Sequence, residues 1–208
     1  MSLNIEVYSD VICPWCYVGK KNLEKAIRSL PRPVDLQVTY HPFELNPHTP
    51  ADGFDRKKYL GERYGARIEQ AHQYLRELGS QAGIEFEFDK AQKIPNTLKA
   101  HRLLLLAGRE GLQEKLADRF FSAYFSEGLD LGEPAVLTRL AVECGLDKNQ
   151  VEQWLAGREG EAQVRDVEAK AHQRGIYAVP HFVIGEAHLS GAQPPEILAR
   201  VILEEASE

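Results

Sequence analysis

Cys13 and Cys16 flank Pro14 and Trp15, and two thiols at this spacing can close a small disulfide or exchange one with a partner. The start of a helix is where such a pair works best. There, unsatisfied backbone N–H groups and the positive end of the macrodipole favour a thiolate at the first sulfur, by about 0.3–2 kcal/mol. Cys13 is then the attacking sulfur and Cys16, one turn further in, the resolving one, while Pro14 limits the freedom of the loop. One CxxC is also half of a zinc site. Structural zinc takes four ligands, and no second CxxC or close Cys-His pair supplies the others, so no metal is expected. A static disulfide is the remaining alternative, although one closed over two residues tends to be labile. The third cysteine, Cys144, sits at helical spacing among Leu140, Ala141 and Leu146 and reads as a small buried hydrophobe.

The surrounding pattern supplies the elements that would hold the pair. Leu3, Ile5 and Val7 alternate with polar neighbours over residues 3–8, giving a strand that ends at Ser9-Asp10. Val18, Leu23, Ala26, Ile27 and Leu30 then recur at helical spacing until Pro31 and Pro33, and Val34, Leu36, Val38 and Tyr40 make a second strand. A helical period follows, with candidates near 55–79, 97–109, 113–126, 134–144, 148–157 and 160–174. Asn96 or Thr97 suits an N-cap, Pro134 a first helical position, and Gly111 and Gly145 the positions just past a helix end. Phe120, Phe121, Tyr124 and Phe125 read as bundle core, and Glu159–Arg174 as a solvated helix face. Strands return at Val179–Ile184 and His188–Ser190, and a helix over 195–206 closes the chain. This is an α/β pattern in which both chain ends share one sheet. Residues 1–45 and 165–208 form one domain, residues 46–164 an all-helical insertion, and the site lies where the two meet.

Composition narrows the functions. The 208 residues are 43% hydrophobic and 27% charged, ordinary for a globular protein, and the net charge of −6 is the wrong sign for a nucleic-acid partner. No stretch has the length or apolarity of a membrane span, and the N-terminus lacks the basic and apolar regions of a signal peptide, so a cytoplasmic protein is expected.

The segments Ser9-Asp10-Val11-Ile12-Cys13-Pro14-Trp15-Cys16-Tyr17-Val18-Gly19-Lys20, Pro42-Phe43-Glu44-Leu45-Asn46-Pro47, Asn96-Thr97-Leu98-Lys99-Ala100-His101-Arg102 and Ser190-Gly191-Ala192-Gln193 resemble the DsbA family, its FrnE-like branch in particular. The resemblance implies a thioredoxin-like fold with a large all-helical insertion domain. It also implies a thiol–disulfide oxidoreductase acting on protein or small-thiol substrates. Such a protein has no tightly bound cofactor and takes glutathione as a co-substrate; monomer and homodimer both stay open. The family's cis-proline corresponds to Pro180, so Val179 and Pro180 should face the dithiol and, with Pro14 and Trp15, contact substrate. His181 stands where relatives often carry Thr: it is either a cation beside Cys13 or a strand residue turned away. The resemblance further suggests that Asn96, Thr97 and His101 line the cleft, although His101, near Leu98, Leu105 and Leu106, also reads as an interfacial core histidine. Two alternatives stay open. Relatives resembling 2-hydroxychromene-2-carboxylate isomerase and the kappa-class glutathione transferases use glutathione, typically with Ser at the position of Cys13 and no resolving thiol. A non-catalytic module that docks an extended peptide beside Pro180 is the other.

Overall fold

The computed structural model describes residues 2–207. β1 (Leu3–Ser9) pairs in parallel with β2 (Leu36–Pro42), and β5 (His181–Ile184) lies antiparallel on the other side of β1, followed by β6 (Ala187–Ser190). The sheet order is therefore β2-β1-β5-β6. Two parallel neighbours need a crossover, which α1 (Pro14–Arg28) provides. Side chains alternate across a strand, so Ile5 and Val7, opposite Ile184 and Phe182, turn to one face, where Leu23 and Ala26 of α1 and Leu198 and Ile202 of α9 (Pro195–Glu205) are buried. Tyr8 and Val183 turn to the other face and pack with Phe43, Ala171 and Ile176 under α8 (Glu161–Gln173).

The inserted part contains α2 (Arg56–Tyr64), α3 (Arg67–Ala82), α4 (Leu98–Arg109), α5 (Gln113–Phe125), α6 (Pro134–Cys144) and α7 (Lys148–Ala156). The single helix expected near 55–79 is two: Gly65 adopts φ 55° and ψ −140°, outside the helical region, and redirects the chain. Asp55 fixes the start of α2 by accepting the Lys58 N–H at 2.7 Å. A short ladder of β3 (Phe54–Asp55) on β4 (Lys93–Ile94) was not expected, because two-residue strands are too short to show alternation. α8 is continuous through residues 164 and 165, so the division expected there falls inside a helix, and α8 covers the sheet.

Sheet and helices share one core. Tyr17 of α1 stacks on Phe121 of α5 with ring centroids 5.1 Å apart, and Phe86, Phe88 and Phe125 extend the aromatic group. Phe120, Phe121, Tyr124 and Phe125 are all buried. Lys20, 1% exposed, pairs with Glu24 and reaches Asp118 of α5 at 3.4 Å, a second tie between α1 and the helices. Among the described residues no helix is long and apolar enough to cross a membrane.

Candidate active site

β1 ends at Ser9 and the chain turns through Asp10, Val11 and Ile12 into α1, with the Cys13 N–H donating to the Asp10 carbonyl at 3.0 Å. Cys13 is the N-cap residue. Its backbone is extended (φ −91°, ψ 113°), and its carbonyl accepts the Cys16 and Tyr17 N–H groups at 3.1 and 3.2 Å. Pro14 takes a first-turn position, where its missing N–H costs nothing, and no acidic residue in that turn opposes the helix dipole. The Cys13 thiol lies 3.8 Å from the Val179 carbonyl, to which it donates, and the Val179–Pro180 bond is cis. Cys16 is deeper. Burial pushes its thiol well above its ordinary value and the neighbouring Cys13 sulfur adds to this, against hydrogen bonds from the Asp10 backbone and the Ser9 side chain. The pair is thus asymmetric: the outer sulfur sits at a helix N-terminus, and the inner one holds its proton.

Behind the loop lies a buried charged group. Asp10 is fully buried; its Oδ2 accepts the Leu45 N–H at 2.8 Å and its Oδ1 lies 3.2 Å from His101 Nε2. One carboxylate therefore joins the dithiol loop, the segment after β2, and α4. Burial alone would lower His101, but the hydrogen bond and charge of Asp10 outweigh it and hold the imidazole above its usual value. Nearby, Glu44 is buried with Oε1 on Arg165 and Oε2 without a partner among the described residues, and burial pushes it up to about 7.

In front of the loop a cleft of about 690 Å³ opens between the dithiol and the first inserted helices. Cys13, Trp15 and Val179 line it, Phe88 and Phe125 are part of the apolar lining, and α2 and α3 contribute Arg56, Arg63 and Arg67. Cys13 keeps only 4% of its surface exposed, so a partner sulfur must enter the cleft to reach it.

Cys13, Pro14, Trp15 and Val179 all line this cleft, and Pro180 packs against α1 at Gly19, where an added Cβ would lie 3.1 Å from the proline ring. Asn96, Thr97 and His101 do not line it, which corrects the expectation. The Asn96 amide donates to Thr49 O at 2.8 Å while its oxygen caps Leu98 N–H at 3.1 Å, Thr97 is buried, and His101 is turned inward to Asp10. His181 likewise turns away. Phe182 faces α1, so strand alternation sends His181 to the opposite face, with its ring nitrogens 3.0 Å from Ser190 Oγ and 3.1 Å from His188 Nδ1. Burial, with His188 and Arg174 adding to it, lowers its pKa, so it is not a cation beside Cys13. Cys144 is buried, its thiol donating to the Lys115 carbonyl at 3.8 Å. Sequence reasoning passed over Asp10, Glu44 and the three arginines. Asp10 and Glu44 lie inside segments singled out for resemblance, but a single acidic residue gives no sign of burial until the fold is known.

A family model described as a DSBA-like thioredoxin domain matches residues 4–203. The chain is 30% identical over 206 residues to YwbO of Bacillus subtilis (strain 168), covering 99% of this chain and 98% of that one. It is 32% identical to a probable DsbA oxidoreductase from Streptomyces coelicolor, whose crystal structure superposes with a TM-score of 0.90 over 99% of this chain and 91% of that one. The cytosolic disulfide reductase DsbM from Pseudomonas aeruginosa, solved with GSH, has the same fold at 20% identity, with a TM-score of 0.67 over 99% of this chain and 96% of that one. With a helix-capping dithiol beside a cis-proline, on a sheet interrupted by a helical insertion, the chain belongs to the DsbA-like thioredoxin domain family.

Proposed function

We propose that the protein is a thiol–disulfide oxidoreductase whose working pair is Cys13 and Cys16. The Cys13 thiolate attacks one sulfur of a disulfide; that S–S bond breaks, one product leaves as a thiolate that takes up a proton, and the other stays bonded to Cys13. Cys16 then loses its proton and attacks Cys13 Sγ, releasing the second thiolate and leaving a Cys13–Cys16 disulfide. Two electrons pass from the dithiol to the substrate, and the reverse steps oxidise a substrate dithiol. Trp15 and the Val179 carbonyl would flank the sulfur under attack. The carrying observation is the placement of Cys13 at the N-cap of α1 on the cleft wall, with Cys16 buried one turn behind it. Glutathione, as a free thiol in a reducing cytoplasm, fits the role of co-substrate, and the relative solved with GSH supports it.

The isomerase reading is weaker here, because two thiols stand where that chemistry typically has a serine and no resolving group. The test is reduction of insulin disulfides and of glutathione disulfide, with dithiothreitol as reductant, by wild type, Cys13→Ser and Cys16→Ser. The wild type should accelerate at least one reaction and Cys13→Ser neither. If all three proteins behave alike in both, dithiol exchange is not the function.

A further inference from the structure

Three arginines line the cleft beside Cys13, and no Asp or Glu does, in a chain with 31 acidic and 25 basic side chains. Such a local excess is not the average surface of this protein. Arg56 is partly committed, donating to Phe88 O at 2.9 Å and approaching His72 Nε2 at 3.3 Å. Arg63 donates to the Tyr59 hydroxyl at 3.1 Å and packs over Tyr59 and Tyr64, so its charge stays free for a ligand. Arg67 begins α3 immediately beyond the bend at Gly65, which brings the end of α2 and the start of α3 to the same rim. The rest of the lining is mainly apolar and aromatic.

We propose that this cleft selects a carboxylate-bearing small-molecule thiol or disulfide with an apolar body, Arg63 and Arg67 holding its carboxylate while its sulfur meets Cys13. This rests on the dithiol chemistry proposed above and narrows its substrate class. A volume of about 690 Å³ falls within the range of small-molecule sites, roughly 300–1,000 Å³. The recessed Cys13 also favours a slender ligand over a disulfide on a broad protein surface. The reaction is unchanged: the entering disulfide gains two electrons and two protons, and two molecules of a low-molecular-weight thiol then return the oxidised Cys13–Cys16 pair to the dithiol, leaving joined as their own disulfide.

The test compares two aromatic disulfides, the dianionic dithiobis(nitrobenzoate) and the uncharged dithiodipyridine, reacting with the reduced protein. Each rate is divided by that of the same probe with free mercaptoethanol, which removes intrinsic reactivity. The normalised ratio should favour the anionic probe, fall about fivefold in an Arg63→Ser/Arg67→Ser variant, recover in the Lys/Lys variant, and shrink with added salt. An unchanged ratio in the Ser/Ser variant overturns the assignment of the arginines while leaving dithiol exchange intact. Absence of any Cys13-dependent reaction with both probes overturns the dithiol reading and this inference together.

Discussion

Asp10 offers the sharpest structural perturbation. Its fully buried carboxylate satisfies the Leu45 N–H at 2.8 Å and pairs with His101 at 3.2 Å, so Asp10→Ala leaves a buried imidazole and a half-buried amide without their partner. Breaking a buried pair from one side costs about 3–5 kcal/mol. At roughly 2–4 °C per kcal/mol for a chain of this size, the melting temperature should drop by about 6–20 °C. Asp10→Asn keeps the shape and removes the charge, and its effect should depend on pH with a defined sign. His101 is held above its ordinary 6.5 by Asp10. Its pairing therefore contributes stability that is fully present below 6.5 and is lost as pH rises through the raised folded value. The wild type should exceed Asp10→Asn most at about pH 6 and least at about pH 9, measured by urea unfolding followed through tryptophan fluorescence. A difference that is flat with pH, or an alanine variant within about 1 kcal/mol of wild type, would show that the pair is not an ionic clamp.

Other groups give further tests. Glu44 titrates near 7 in the fold against an ordinary 4.5, so the native state binds its proton more tightly than the unfolded chain does, and stability falls as pH rises between the two. Glu44→Gln should lose about 2 kcal/mol less than wild type between about pH 5 and pH 8, in the same unfolding assay. Gly19→Val would force a side chain against Pro180 and Phe182, both 3.1 Å from an added Cβ, and should cost about 1–3 kcal/mol in urea unfolding. Cys144→Ala should leave the reduction of glutathione disulfide at the wild-type rate and lower stability by about 1 kcal/mol, since its sulfur fills space in the bundle and makes only a weak hydrogen bond to the Lys115 carbonyl.

The sheet and the dithiol were legible because they rest on short-range signals. Ile5 and Val7 alternate cleanly, the CxxC stands next to them, and Pro31 and Pro33 mark the end of α1. The cis Val179–Pro180 bond came from resemblance alone, and nothing in the local residues announces it. The break at Gly65 was hidden because Leu60, Ile68, Ala71 and Leu75 nearly keep the helical period across it, so periodicity read through the bend. Family resemblance places Asn96, Thr97 and His101 in the cleft, whereas the structure turns His101 toward Asp10, 91 positions away in sequence. A contact of that range leaves no trace in spacing. The arginine-lined cleft was invisible for a different reason: Arg63 and Arg67 look like ordinary solvated helix residues until the bend at Gly65 brings the end of α2 and the start of α3 to one rim.

The most direct test of the dithiol is to trap its intermediate. In Cys16→Ser the resolving thiol is gone, so incubation with glutathione disulfide should leave one glutathione bound to Cys13, as mapped by peptide mass spectrometry, whereas the wild type should pass on to the Cys13–Cys16 disulfide without accumulating the adduct. An adduct on Cys144 instead, or none on Cys13, would contradict the assignment of Cys13 as nucleophile and Cys16 as the thiol that resolves it.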